Sequence, residues 1–390
     1  MQRPDPNQPA DTTPRVRLEA ILRREDPGRF VYAPNYWQWF SHHQRHGRLP
    51  GALADCHDQL DMLAALGADV FSRNIYCDQR RCWFGGLSAE QLDGAECVQS
   101  EEEHPNGDLL LDRAYHLSSG ILAERRRHIA AESTLVQERF LVDDYQTQLP
   151  LLEELVSARR WTFDEARWRR WQDRLGARGL LVAGELFSPL KLLHLVMGPE
   201  QTTYFLVDAP DRARAVLDAH EAAQLELVRQ MAAAGVPAMM AMDNLDSVFH
   251  TPQYVDSYCA SFYERAASIC HRHGSTFFIH ACGNQRVNLA RIASCGVDGL
   301  EGVAYPPLGD VELHEAFEAA GDRFIITGGI SAVETDRLTS RQAVFDYLGA
   351  LIERLRPFRH RFILASSCNT AISAPWETLL HFRDAWLEFR

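Results

Sequence analysis

Six short apolar runs in the last two thirds of the chain each stop at a polar residue or a glycine pair. That punctuation constrains the fold more than any other feature. The runs are LLVAGE (180–185), PAMMAMD (237–243), STFFIHACG (275–283), GVDGLEGV (296–303), RFIITGG (323–329) and RFILASS (361–367). They are apolar at consecutive positions, as strands buried on both faces are. Between them, apolar residues recur three and four apart, the spacing of helices. One such segment, YVDSYCASFYERAASICHRHG, follows Pro252 at a helix start and ends at Gly274, a C-cap; another, AVFDYLGALIERLRPF, is stopped by Pro357. This alternation predicts a parallel sheet. Two more candidate strands, RFVYAPNYW (29–37) and GADVFSRNIY (67–76), bring the number to eight. The expected fold is therefore α/β: a single (β/α)8 TIM barrel over residues 16–390, a size that admits insertions.

Two segments stand outside the rhythm. Residues from about 78 to 145 are rich in Gly, Asp and Asn, with HPNGD at 104–108 between extended pieces, which predicts an inserted β-hairpin region near the second strand. The first fifteen residues, MQRPDPNQPADTTPR, are polar and proline-rich without the apolar core of a signal peptide, and are expected to form a flexible, disordered tail over 1–15.

Composition removes several classes of function. Apolar residues make up 46% and charged residues 24%, the balance of a globular chain. No apolar run approaches the roughly 18 residues that a spanning helix needs, so no membrane association is expected. A net charge of −13 argues against a nucleic-acid partner. Nine cysteines, an odd number without any C-x-x-C, argue against a disulfide framework and for a reducing, cytoplasmic location.

In a barrel of this type the chemistry sits at the C-terminal ends of the strands. The polar residues there are Glu185, Asp243, His280 with Cys282, Glu301 and Cys368, together with the pair Gly328 and Gly329. One imidazole, two thiols and one carboxylate are donors that zinc accepts, and a mixed open set is the kind found in catalysis. Glu301 and Cys368 lie 19 and 86 residues beyond Cys282, intervals that suit different barrel strands rather than a local finger. His280, Cys282, Cys368 and Glu301 are thus the candidate metal ligands. Taken singly, each has a plainer reading: a hydrogen-bonded core histidine, an apolar filler, a loop thiol, a substrate contact. Asp243 and Glu185 are candidates for acid–base catalysis; a cap and a satisfied structural carboxylate are their alternatives. Tyr36, Asp243, Asn244 and Gly328 are candidate substrate contacts. Packing of the hairpin by Tyr36, Trp37 and Trp39, and a tight turn at Gly328, explain the same residues without a substrate. Asn284 is expected to cap the next helix. HHQRH (42–46) is expected to continue a polar, solvent-facing helix.

These residues also carry a resemblance. H-A-C at 280–282, GVDGLEGVAYPPLGDVELHEAF at 296–317, RFIITGGI at 323–330 and SSCNTAISAPWETLLHF at 366–382 resemble the uroporphyrinogen decarboxylase superfamily. MDNLDSVFHTPQYVDSY at 242–258 looks like the superfamily's fourth-strand acid followed by a helix opening with proline. The likeness is to the zinc-dependent branch that includes the methylcobamide:coenzyme M methyltransferases, with cobalamin-independent methionine synthase more distant. It covers roughly residues 180–390.

The resemblance implies that His280, Cys282 and Cys368 match the branch's zinc-binding H-x-C…C pattern, and that Glu301 falls where methionine synthases place a glutamate ligand. True uroporphyrinogen decarboxylases lack this pattern and carry an arginine-rich motif near the N-terminus; YAPNYWQWF (32–40) has no arginine. The implied activity is transfer of a methyl group, from methylcobalamin on a partner corrinoid protein, to a small-molecule thiol activated by Zn2+. Two alternatives stand beside it. One is a metal-independent decarboxylase or lyase of the same fold using Asp243 and Glu185. The other is a corrinoid- or tetrapyrrole-binding module with His280 as axial ligand. Exposed aromatic loops leave a homodimer open.

Overall fold

The computed structural model describes residues 12–390. Of the tail expected over 1–15, residues 1–11 lie outside the described residues, and a helix begins at Pro14 with Thr13 as its N-cap. In chain order the strands are β1 (Val31–Tyr32), β2 (Val70–Ser72), β3 (Ser88–Leu92), β4 (Glu96–Glu103), β5 (Leu109–Leu117), β6 (Gly120–Ile129), β7 (Thr134–Arg139), β8 (Arg159–Phe163), β9 (Gly179–Leu186), β10 (Ala238–Ala241), β11 (Thr276–His280), β12 (Gly299–Val303), β13 (Ile325–Ile330) and β14 (Phe362–Ser366).

Eight of them form one parallel sheet in the order β1-β14-β13-β12-β11-β10-β9-β2. The ring closes where Asp69 N donates to Tyr32 O at 2.8 Å, while the Asp69 carboxylate accepts from Tyr32 N at 3.1 Å. The expected TIM barrel is therefore present, with each of the eight apolar runs contributing one strand.

Side chains alternate between two packed layers, as the two-residue period of a strand requires. Phe71, Val182, Met240, Phe278, Ile325 and Ile363 share the cluster that fills the barrel. Their alternates Leu181, Met239, Ile279, Leu300, Ile326 and Leu364 belong to the larger cluster between sheet and helices. Leu18, Ile21 and Leu22 of the helix Pro14–Leu22 join the interior cluster. The helix's polar partners precede strands: Arg17 pairs with Asp69 at 2.7 Å, and Arg24 just beyond the helix pairs with Asp298 at 2.5 Å. It therefore plugs the N-terminal end of the barrel and leaves the C-terminal mouth open.

The inserted region is larger than one hairpin. HPNGD does form the turn between β4 and β5, with His104 N donating to Asp108 O at 2.9 Å. The antiparallel sheet, however, continues through β6 and β7, and β3 pairs with β8 beside it. The added strands carry no apolar alternation because charge pairs stitch their faces, Arg125 to Asp112 at 2.8 Å and Arg127 to Glu138. The helix expected after Pro252 is broken at Cys259 into Pro252–Tyr258 and Ala260–Arg272. All nine cysteines are free, and among the described residues no helix is long and apolar enough to cross a membrane.

Candidate metal centre

The inward phase of each strand decides which polar side chains reach the mouth. Phe278 is inward, so His280, two residues on at the end of β11, is inward too. By the same step Phe71 leads to Arg73 past β2, and Val31 and Ala33 lead to Asn35 past β1. On β12 the inward residue beside His280 is Glu301, its register partner across the strand pair.

Three donor atoms meet there. His280 Nε2 lies 3.2 Å from Cys282 Sγ and 3.8 Å from Cys368 Sγ, and all three lie within 4.8 Å of one another. Two glycines let the loops that carry the ligands close. Gly302 has φ +108°, and a Cβ there would overlap Ala281 O and crowd Ser367 O at 3.1 Å, the neighbours of both cysteines. Gly283 has φ +89°, and a Cβ would overlap the Asp246 carboxylate that receives Asn284 N at 3.3 Å. Asn35 steadies the other loop by donating from Nδ2 to Cys368 O at 3.1 Å.

Behind the imidazole stands an ion pair. Glu301 Oε2 sits 2.6 Å from His280 Nδ1 and 2.5 Å from Arg73 Nε, and His280, Glu301 and Arg73 are 3%, 5% and 6% exposed. Burial pushes the Glu301 carboxyl up, but the Arg73 guanidinium and His280 outweigh it and hold it at about 2. The ionised carboxylate holds the Nδ1 proton, which leaves Nε2 as the ring atom that faces the two sulfurs. The hydrogen bond between the two thiols pushes Cys282 up, and holds Cys368 well below the usual thiol range with His280 and Arg73 helping.

These residues fit zinc. Zn–N bonds of about 2.0 Å and Zn–S bonds of about 2.3 Å give a tetrahedron whose N···S edge is about 3.6 Å, and the two observed separations bracket it. Two thiolates, Glu301 and Arg73 leave two negative charges beside a neutral imidazole, which a divalent cation balances.

Other expected site residues lie elsewhere. Glu301 is not among the clustered donor atoms; the strand pairing that sets it beside His280 turns it to Nδ1, on the far side of the ring. Asp243 follows inward Met242 by one step and faces outward; at Glu185 a bulge interrupts the alternation of β9, since Ala183 and Leu186, three residues apart, both pack in the outer cluster. Asp243 accepts from Ser188 N at 2.9 Å and from Tyr263 OH, fully buried in the wall, where burial outweighs both bonds and raises its pKa. Glu185 lines a separate cavity under the inserted sheet, where burial raises its carboxyl to about 7 against the hydrogen bond from Leu87 N.

Tyr36 is 2% exposed and shares a 2.6 Å hydrogen bond with Tyr32, in the core. Trp39 packs against Trp376 and donates to Ala374 O at 2.9 Å. Asn244 holds the β10 end beside β11 through its N–H to His280 O at 3.0 Å, and its buried Oδ1 has no hydrogen-bond partner. Gly328 lies inside β13, where a Cβ would press on Val303 O at 3.3 Å. Asn288, not Asn284, precedes the next helix. In HHQRH, His42 is buried against Ser133 rather than solvent-facing. Arg73 and Asn35 were not singled out by sequence, although the inward phase from Phe71 and Ala33 points to both.

Comparison with known proteins agrees with the fold. The family model described as uroporphyrinogen decarboxylase (URO-D) matches residues 169–389. A solved methyltransferase from Methanosarcina mazei is similar in fold, with a TM-score of 0.59 and 15% identity over 97% of this chain and 99% of that one. A mandelate racemase/muconate lactonizing enzyme-like protein from Rubrobacter xylanophilus aligns over 77% of this chain and 84% of its own, at 12% identity, and its TM-score of 0.26 carries no argument. No curated protein matches in sequence.

Proposed function

The chain belongs to the uroporphyrinogen decarboxylase family, and within it we propose a zinc-dependent methyltransferase that moves a methyl group from a corrinoid-bound donor to a small-molecule thiol. The observation that carries this reading is the convergence of His280 Nε2, Cys282 Sγ and Cys368 Sγ within 4.8 Å at the barrel mouth. The fold shared with the Methanosarcina mazei methyltransferase supports it.

When bound, zinc would supply a Lewis acid that keeps an acceptor thiol in its nucleophilic thiolate form near neutral pH. The chain's own residues prepare the place. Glu301 fixes the ring and tautomer of His280. Arg73 keeps Glu301 ionised and offsets charge on the two sulfurs. Two cysteine thiolates donate more charge than neutral histidines, which suits activation of a sulfur nucleophile over activation of water. A methylated corrinoid would supply the methyl group, which would form its new bond to the acceptor sulfur while the electron pair of the broken cobalt–carbon bond stayed with the corrinoid. Methylcobalamin on a docked corrinoid protein is the proposed donor.

Acid–base decarboxylation by Asp243 and Glu185 is disfavoured because neither joins the mouth cluster. The test is demethylation of methylcobalamin by a panel of thiols, including homocysteine and coenzyme M, followed by the corrinoid spectrum. The wild type should turn over with at least one thiol, and Cys282→Ser and Cys368→Ser should each be inactive. Decarboxylation of a porphyrinogen by metal-free protein, with no thiol methylation, contradicts the reading.

A further inference from the structure

A separate cavity, of about 760 Å³, lies between the inserted sheet and the barrel rim at the end of β9. Trp83, Phe84, Arg113, Tyr115 and Arg126 line it from the insertion. Glu185, Phe187, Leu192 and Leu195 line it from the end of β9 and the helix that follows. None of the three clustered donors, His280, Cys282 and Cys368, reaches it. The volume falls in the range of sites for small organic molecules, about 300–1,000 Å³, and far exceeds what an ion or a single water needs.

Its walls hold buried polar atoms without hydrogen-bond partners, which folded proteins rarely leave unmatched. They include Arg126 Nε, Trp83 Nε1, Glu185 Oε1 and Arg113 Nε. The other arginines of the cavity have carboxylate partners: Arg113 pairs with Glu124 at 3.7 Å and Arg159 with Glu90 at 2.5 Å. Arg126 has no ion-pair partner among the described residues. Glu185 is 4% exposed; its Oε2 accepts from Leu87 N at 3.1 Å and Ser88 also holds the carboxylate, while Oε1 has no geometric hydrogen-bond partner. Around these atoms the surface is aromatic, with Phe84 and Phe187 edge to face at 5.8 Å. A guanidinium matches a planar anion, and aromatic faces match a flat ring.

We propose that this cavity is a binding chamber for an aromatic organic acid, with the anionic group on Arg126 and the ring against Trp83, Phe84 and Phe187. A hydroxyl or amine on that ring is positioned to meet Glu185 Oε1. The chamber is distinct from the metal centre and stands whether or not methyl transfer is the activity.

Two fluorescent probes test it on the intact protein: 8-anilinonaphthalene-1-sulfonate, an aromatic anion, and its uncharged counterpart N-phenyl-1-naphthylamine. The anion should bind saturably, with quenching of tryptophan emission. Arg126→Gln should weaken the anion by about tenfold or more and leave the uncharged probe unchanged. Leu195→Trp, which fills the cavity from the helix side, should weaken both and serves if Arg126→Gln does not fold. Cys282→Ser should leave both unchanged, with near-ultraviolet circular dichroism certifying each variant's fold. Absence of saturable binding, binding indifferent to both cavity substitutions, or binding lost in Cys282→Ser would overturn the proposal.

Discussion

Glu301 reaches the candidate metal centre through His280. Its Oε2 holds Nδ1 at 2.6 Å while Arg73 holds the same oxygen. Glu301→Gln keeps the shape but removes the charge that fixes the tautomer. Zinc affinity, measured by competition with a chelating dye, should fall about 10- to 100-fold with the circular dichroism unchanged; equal affinity would remove Glu301 from the account. Glu185 gives a different prediction because burial raises its carboxyl to about 7 from the ordinary 4.5. Between those values the unfolded chain loses the proton and the folded chain keeps it. This group's contribution to stability therefore falls as pH rises through that window, by on the order of 3 kcal/mol, and is level above it. Urea unfolding should show Glu185→Gln gaining on wild type between pH 4 and pH 8. A difference that does not vary with pH would contradict the buried, proton-holding carboxyl.

At the scale of the strand, phase carries more information than position. Polar residues at the ends of apolar runs marked the right rim, and His280 and Cys282 were legible because β11 enters the mouth inward. Asp243 ends its run just as visibly but one step out of phase and serves the wall, while Glu185 lies at a bulge in β9 and lines the separate cavity. Counting alternate residues from Phe71 and Ala33 would have found Arg73 and Asn35. The position of Gly302 depends on how closely two loops approach, which no local pattern encodes. Gly302→Ala should push Ala281 away, since its Cβ would overlap a backbone carbonyl. The expected result is a barrel with native far-ultraviolet circular dichroism that has lost most of its zinc affinity. Zinc binding at wild-type strength would show that the two loops are not held by that contact.

At the scale of the molecule, the barrel was readable because strands buried on both faces leave uninterrupted apolar runs. The inserted sheet was readable only at its HPNGD turn. Its strands are held by pairs such as Arg125 with Asp112, which in one dimension look like a charged loop. The chamber between sheet and barrel was accordingly invisible in the sequence, because its walls come from segments whose mutual packing is long-range. The assembled molecule has a plugged N-terminal end, an open mouth with two sulfurs and one imidazole, and an ion pair behind them. Zinc K-edge X-ray absorption of the purified protein tests this most directly. The account predicts about one zinc per chain, with two sulfur neighbours near ~2.3 Å and a nitrogen or oxygen shell near ~2.0–2.1 Å, and loss of one sulfur in Cys282→Ser. A shell of oxygen and nitrogen alone, a spectrum unchanged in Cys282→Ser, or protein that retains no zinc would contradict it.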